Sequence, residues 1–183
     1  PRIATIRAGN VIGGGDWAKD RLIPDFVRAV IRKEKIKVRN PEYTRPWQFV
    51  LEPLSGLLWL AVNMTKKPNY SEAWNFGPPI DREQFTVKTM LENLSTEWQI
   101  QKSIIVEATD EKLHEEKFLN IDSSKAKKVL GWKSVYSLKE SISETSSWYK
   151  LFSDNEDEIK DYSIKQIHDY ENKGKQLNLP WAE

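Results

Sequence analysis

The sequence predicts an α/β fold on three observations. Short apolar runs alternate with segments of helical period, glycine-rich turns follow several of those runs, and no repeat of roughly 20–50 residues recurs. Of the 183 residues, 39% are hydrophobic and 30% charged, so the chain can bury a core and is poorly suited to disorder. The densest apolar stretch, residues 54–62, falls well short of the ~20 residues of a membrane span, which argues against a membrane partner. With no cysteine, disulfides, thiolate chemistry and cysteine-ligated metals are excluded, and two histidines, His114 and His168, leave little for any other metal centre. The chain starts at Pro1 and enters an apolar run at once without a charged leader, which reads as an internal or C-terminal piece of a longer protein.

Residues 1–7 read as a short buried strand, and residues 9–17, with glycine at 9, 13, 14 and 15, as a glycine-dense loop. Pro24 suits the first turn of a helix whose apolar stripe is Phe26, Val27, Val30 and Ile31. Residues 36–39 form a brief strand, Asn40-Pro41 a turn and residues 45–50 a second extended segment. Pro53 opens a helix in which Leu54, Leu57, Leu58, Ala61 and Val62 repeat at three and four residues, the pattern of a buried face. Glu52, just ahead of it, suits the helix dipole and has a structural rather than a ligand-binding role.

Residues 72–76 read as a strand closed by Gly77-Pro78-Pro79, and residues 86–98 as a helix with Val87, Met90, Leu91 and Leu94 on one face. Residues 103–107 are a strand and 109–117 a polar loop. Asp122-Ser123-Ser124 begins a helix that Gly131 ends, at a position wanting a left-handed residue. Ser137 and Glu140 have the spacing of a capping box, and Leu138, Ile142, Thr145, Trp148 and Tyr149 carry that helix onward. Residues 154–158 are an acidic hinge before a last amphipathic helix over 159–172. Trp74, Trp98, Trp132 and Trp148 fall at core positions, whereas Trp17 and Trp47 could flank a sugar or a base.

Absences narrow the chemistry. The chain has no G-x-G-x-x-G, no Walker loop and no G-x-S-x-G, and none of its six tyrosines is followed four residues later by lysine. What it does carry is positive charge near its start: residues 1–47 hold eleven Lys or Arg against five Asp or Glu, leaving the rest of the chain acidic. Asn10, Arg21, Arg39, Arg45 and Asn75 all fall at the carboxyl ends of strands or just beyond, the edge where open α/β sheets bind ligands. Several guanidinium forks at that edge suit a diphosphate. Each alone also suits a turn or a solvated surface, and the basic segment with Trp17, Tyr43 and Trp47 interleaved resembles a single-strand nucleic-acid surface without any recognised nucleic-acid motif. A non-catalytic interaction domain is thus the alternative from another class.

The run Arg7-Ala8-Gly9-Asn10-Val11-Ile12-Gly13-Gly14-Gly15-Asp16-Trp17, with Asp20-Arg21-Leu22-Ile23-Pro24 after it and Arg45-Pro46-Trp47-Gln48-Phe49-Val50 further on, resembles the CDP-glucose 4,6-dehydratases of the extended short-chain dehydrogenase/reductase family. Ala73-Trp74-Asn75-Phe76-Gly77-Pro78, Asp122-Ser123-Ser124-Lys125-Ala126 and Leu130-Gly131-Trp132 continue the likeness, which is weakest over 100–118 and after 153. Phe49 stands where members commonly have histidine. The resemblance implies a fold: the last strands of a Rossmann-type sheet interwoven, over residues 1–183, with the smaller C-terminal lobe that grips a sugar nucleotide, the NAD-binding core and the tyrosine–lysine pair lying upstream. It implies substrate contacts at Asn10, Arg21, Leu22, Ile23, Val38, Arg39, Arg45 and Asn75, no catalytic residue and no metal within these residues, and NAD as the parent's cofactor. It further implies a cytoplasmic, homo-oligomeric lyase of deoxysugar and lipopolysaccharide O-antigen synthesis that acts on a nucleotide sugar. These residues by themselves would be inactive. Another nucleotide-sugar epimerase or dehydratase of the family is the nearer alternative.

Overall fold

The computed structural model describes residues 1–79, 86–100, 105–107 and 116–183. His114 and most of the polar loop expected over 109–117 lie outside the described residues. The described residues build six short strands and five α-helices: β1 (Thr5–Ala8), β2 (Asn10–Ile12), α1 (Leu22–Arg32), β3 (Ile36–Val38), β4 (Trp47–Phe49), α2 (Leu51–Lys66), β5 (Ala73–Phe76), α3 (Val87–Glu97), β6 (Ile105–Glu107), α4 (Leu138–Asp154) and α5 (Ile159–Gln176). The order of strands and helices follows the expected one apart from two places: residues 10–12 of the glycine segment form an added strand rather than loop, and the helix expected from Asp122 is a π-helical turn over Ala126–Leu130.

The strands pair in parallel, as β1 with β5, β2 with β4 and β3 with β6. Parallel pairing requires long crossovers, and helices supply them: α1 returns the chain from β2 toward β4. Asn10 lies opposite Trp47 and Ile12 opposite Phe49, so the segment after β1 is in register with the tryptophan-bearing strand.

Three apolar clusters hold these elements. One joins Phe26 and Val27 of α1 to Met90, Leu91 and Leu94 of α3 and Ile142 and Tyr149 of α4. A second packs Phe49 against Tyr136, Tyr170 and Leu179, and a third packs Leu60 against Trp74, Phe76 and Trp132. Thr86 caps α3 through its side chain, Ser137 and Glu140 form the expected capping box, and Gly131, at φ 67°, ends a π-helical turn over Ala126–Leu130. The acidic stretch after α4 is a single turn of 3-10 helix, Glu156–Glu158, and α5 runs four residues beyond its expected end.

Two expectations of burial reverse. Strand β1 is exposed along its whole length, because β5 is its one partner strand among the described residues and its opposite edge is bare. Helix α2 turns its leucines outward: Leu54, Leu57, Leu58 and Val62 are all exposed, Leu58 at 64%. The buried line is instead Glu52, Gly56 and Leu60, spaced at four residues. Gly56 explains the choice, since a Cβ there would stand 2.4 Å from the Phe76 ring, so the glycine side alone lets α2 lie close on β5. Ile31 of α1 is also exposed, with Ala29 taking its place in the core.

Candidate functional site

A cleft of about 510 Å³ opens where β1 hands over to β2, bounded by the loop over residues 13–21, the amino end of α1 and the Trp47 side chain. Asn10, Arg21, Leu22 and Ile23 all line it. Arg21 is the residue before α1, and its exposed side chain lines the cleft. The first turn of α1, Leu22 to Pro24, borders the same space, so the positive end of the helix dipole lies at the cleft, with Asp25 of the same turn as an acidic counterpart. Ile23, which is buried, supplies an apolar floor.

The positive groups come with counter-charges. Arg21 Nη1 lies 3.7 Å from Asp16 Oδ2, and Arg39 Nη2 lies 3.8 Å from Asp20 Oδ1. Both carboxylates line the cleft. Asp20 adopts φ 62°, the left-handed backbone that aspartate tolerates better than most residues, and this turn brings it to the rim. Exposed ion pairs at such distances are weak, about 0–1 kcal/mol, so an anionic ligand can displace the carboxylates from both arginines.

The expected residues divide into groups. Asn10, Arg21, Leu22 and Ile23 converge on one cleft, and Arg39 reaches its rim through Asp20. Val38 is buried in the core with Ile36 and lines neither cavity, contrary to the expectation of a substrate contact. Arg45 stands on the far side of Trp47, in an adjoining cavity of about 300 Å³ with Pro78 and Pro79. Its Nη1 donates to Thr44 O at 2.8 Å and Glu116 O at 3.0 Å, and the guanidinium lies over the Tyr43 ring. Asn75 lines neither space: on β5, its Nδ2 donates to Asp122 O at 3.0 Å. Trp47 is the wall common to both cavities, and its indole N–H has no hydrogen-bond partner among the described residues.

Asp16 and Asp20 were missing from the expected set. A signal for them exists in the alternation of charge through Asp16, Lys19, Asp20 and Arg21, which places an acceptor beside each donor in the loop. Gln48 was missed as well. It is buried, donates from Nε2 to Phe76 O at 3.0 Å, lines the adjoining cavity and ties β4 to β5, a contact that nothing local in the sequence marks. The glycines serve packing more than ligand approach. A Cβ on Gly14 would stand 2.0 Å from the Trp148 ring, and Gly15 takes φ 82°. Among the described residues no cluster of His, Asp and Glu could hold a metal ion, and no helix is long and apolar enough to cross a membrane.

Comparison with solved structures gives the class. The chain superposes on dTDP-glucose 4,6-dehydratase from Bacillus anthracis, a complex with NAD, with a TM-score of 0.68 and 21% identity over 87% of this chain and 47% of that one. It superposes on UDP-glucuronic acid 4-epimerase from Bacillus cereus, bound to UDP-glucuronic acid and NAD, with a TM-score of 0.69 and 18% identity over 82% of this chain and 46% of that one. The fold is therefore that of the C-terminal part of the extended short-chain dehydrogenase/reductase enzymes that process nucleotide sugars. No family model matches the sequence. Among curated proteins the chain is 41% identical over 169 residues, 92% of its length, to CDP-glucose 4,6-dehydratase of Salmonella typhimurium, so the resemblance carried by the glycine segment extends through most of the chain. The chain spans about half the length of that relative, 46%.

Proposed function

We propose that these residues are the substrate-binding portion of a nucleotide-sugar 4,6-dehydratase that converts CDP-glucose to CDP-4-keto-6-deoxyglucose. The observation that carries the reading is the cleft in which Asn10, Arg21 and the amino end of α1 meet, on a chain 41% identical to a CDP-glucose 4,6-dehydratase. The work of this portion is binding. Arg21 and, from the rim, Arg39 would hold the diphosphate, with Asn10 supplying an amide donor and Leu22 and Ile23 bordering the nucleoside, while Arg45 in the adjoining cavity, Asn75 bonded to Asp122 O and buried Val38 stand outside this cleft. Fixing the nucleotide in this way holds the hexose in one reactive orientation and spends binding energy on that orientation.

NAD, when bound, would supply a transient hydride acceptor. The chain contains no dinucleotide fingerprint, and the cleft, of about 510 Å³, is of small-ligand size. We therefore assign the cofactor's seat, and the catalytic tyrosine and lysine, to further sequence of a longer, homo-oligomeric and cytoplasmic enzyme serving O-antigen deoxysugar synthesis. Two surfaces suit a junction with such sequence: the bare edge of β1 and the outward leucines of α2.

The test is turnover. Full-length protein with CDP-glucose should yield the ultraviolet absorbance of a 4-keto-6-deoxy sugar in alkali, while residues 1–183 alone should yield none. Full-length protein that leaves CDP-glucose unchanged but inverts another nucleotide sugar at C4 would replace this reading with an epimerase.

A further inference from the structure

The wall of the cleft formed by residues 13–21 contains neither helix nor strand, yet it is tied down at consecutive carbonyls. Tyr149 of α4 donates from its hydroxyl to Asp16 O at 2.5 Å. Arg28 of α1 donates from Nη1 to Trp17 O at 2.9 Å and from Nη2 to Ala18 O at 3.1 Å, while the same guanidinium pairs with Asp25. The Trp17 ring meets Tyr149 edge-on at 5.2 Å, and Gly14 sits so close on Trp148 that no Cβ would fit between them. Asp16 then passes the constraint on, since its Oδ1 accepts from Ala18 N at 2.9 Å and its Oδ2 faces Arg21 at 3.7 Å.

We propose that Tyr149 and Arg28 are positioning residues, which clamp the carbonyls of Asp16, Trp17 and Ala18 so that Arg21 is presented to a nucleotide diphosphate at a fixed place. The proposal rests on the nucleotide-binding reading of the cleft and adds to it two residues that stand outside the cleft lining. The physical gain is pre-organisation. A loop ordered in advance by protein donors does not charge its ordering entropy to the ligand. Burial pushes the Tyr149 hydroxyl up to about 12, so it remains a donor throughout the neutral range. Tyr149→Phe removes that donor alone and keeps the ring contacts with Trp17 and Trp148.

Full-length wild type, Tyr149→Phe and Arg28→Gln separate the possibilities through three readouts: amide exchange over residues 13–21 without ligand, affinity for CDP by calorimetry, and Tm. The clamp requires faster exchange confined to that loop in both variants. It also requires a CDP affinity lowered about three- to tenfold in Tyr149→Phe, the size of one lost hydrogen bond, with Tm nearly unchanged. Exchange equal to wild type overturns the clamp, and so does faster exchange with unaltered affinity. Should Arg28→Gln fail to fold, Tyr149→Phe decides alone. Wild type that does not bind CDP defeats the nucleotide reading instead, and the exchange rates then settle whether the loop is clamped.

Discussion

A buried carboxylate needs donors, and three reach Glu52 from described residues. Its side chain is 1% exposed and accepts from Val135 N, Tyr136 N and the Tyr170 hydroxyl at 2.8–3.0 Å. Burial beside this carboxylate pushes the Tyr170 hydroxyl far above its ordinary value, so it donates at any working pH. Glu52→Ala strands those donors, and we expect a loss of about 3–5 kcal/mol in urea unfolding. A loss under about 1 kcal/mol would show that the bonds are dispensable. The structural role of Glu52 was legible from its place before a helix, but its mechanism was not: its partners lie more than eighty residues away, beyond any local pattern. For the cleft, guanidinium chemistry singled out Arg21, which lines it, and Arg39, which reaches its rim. Their carboxylate partners and the separation of Arg45 behind Trp47 depend on side-chain placement that no spacing rule encodes.

At the level of elements, the sequence marked helix existence well and helix facing poorly. Capping and left-handed residues act locally, which is why Ser137, Glu140 and Gly131 read correctly. The face of α2 depends on Phe76, which a period count cannot include, so the outward leucines followed the usual pattern of a buried stripe. Because Leu54 and Leu58 are exposed, Leu54→Lys with Leu58→Lys should leave the Tm of residues 1–183 within a few degrees and reduce self-association in sedimentation. A collapse of the fold would place that face inside the core instead. The fastening of α4 to α5 is expected to depend on pH. Burial works against the ionised Glu140, but bonds from Lys173 and from Ser137 outweigh it and hold its carboxyl below the usual carboxylate range. A carboxyl depressed on folding contributes stability above its unfolded pKa of about 4.3 and loses it as pH falls through the folded value. Urea midpoints from pH 7 to 3 should therefore fall more steeply for wild type than for Glu140→Gln; parallel curves would assign the acid sensitivity elsewhere.

The molecule as a whole carries a cleft of mixed charge, lined by Arg21, Asp16 and Asp20, at one end of a small set of parallel strands, together with an exposed strand β1 and an exposed leucine face on α2. That combination was partly legible. Charge asymmetry and the glycine segment pointed to the stretch of chain that lines this cleft, while the exposure of β1 and α2 could be read only once the strands were paired in space. The central claim is that this cleft recognises a nucleotide diphosphate through Arg21 and Asn10. Calorimetric titration of CDP into full-length wild type and Arg21→Ala tests it most directly. The account requires saturable binding by wild type, weakened about tenfold or more on removal of the guanidinium. CDP that fails to bind, or binds equally to both proteins, would contradict it.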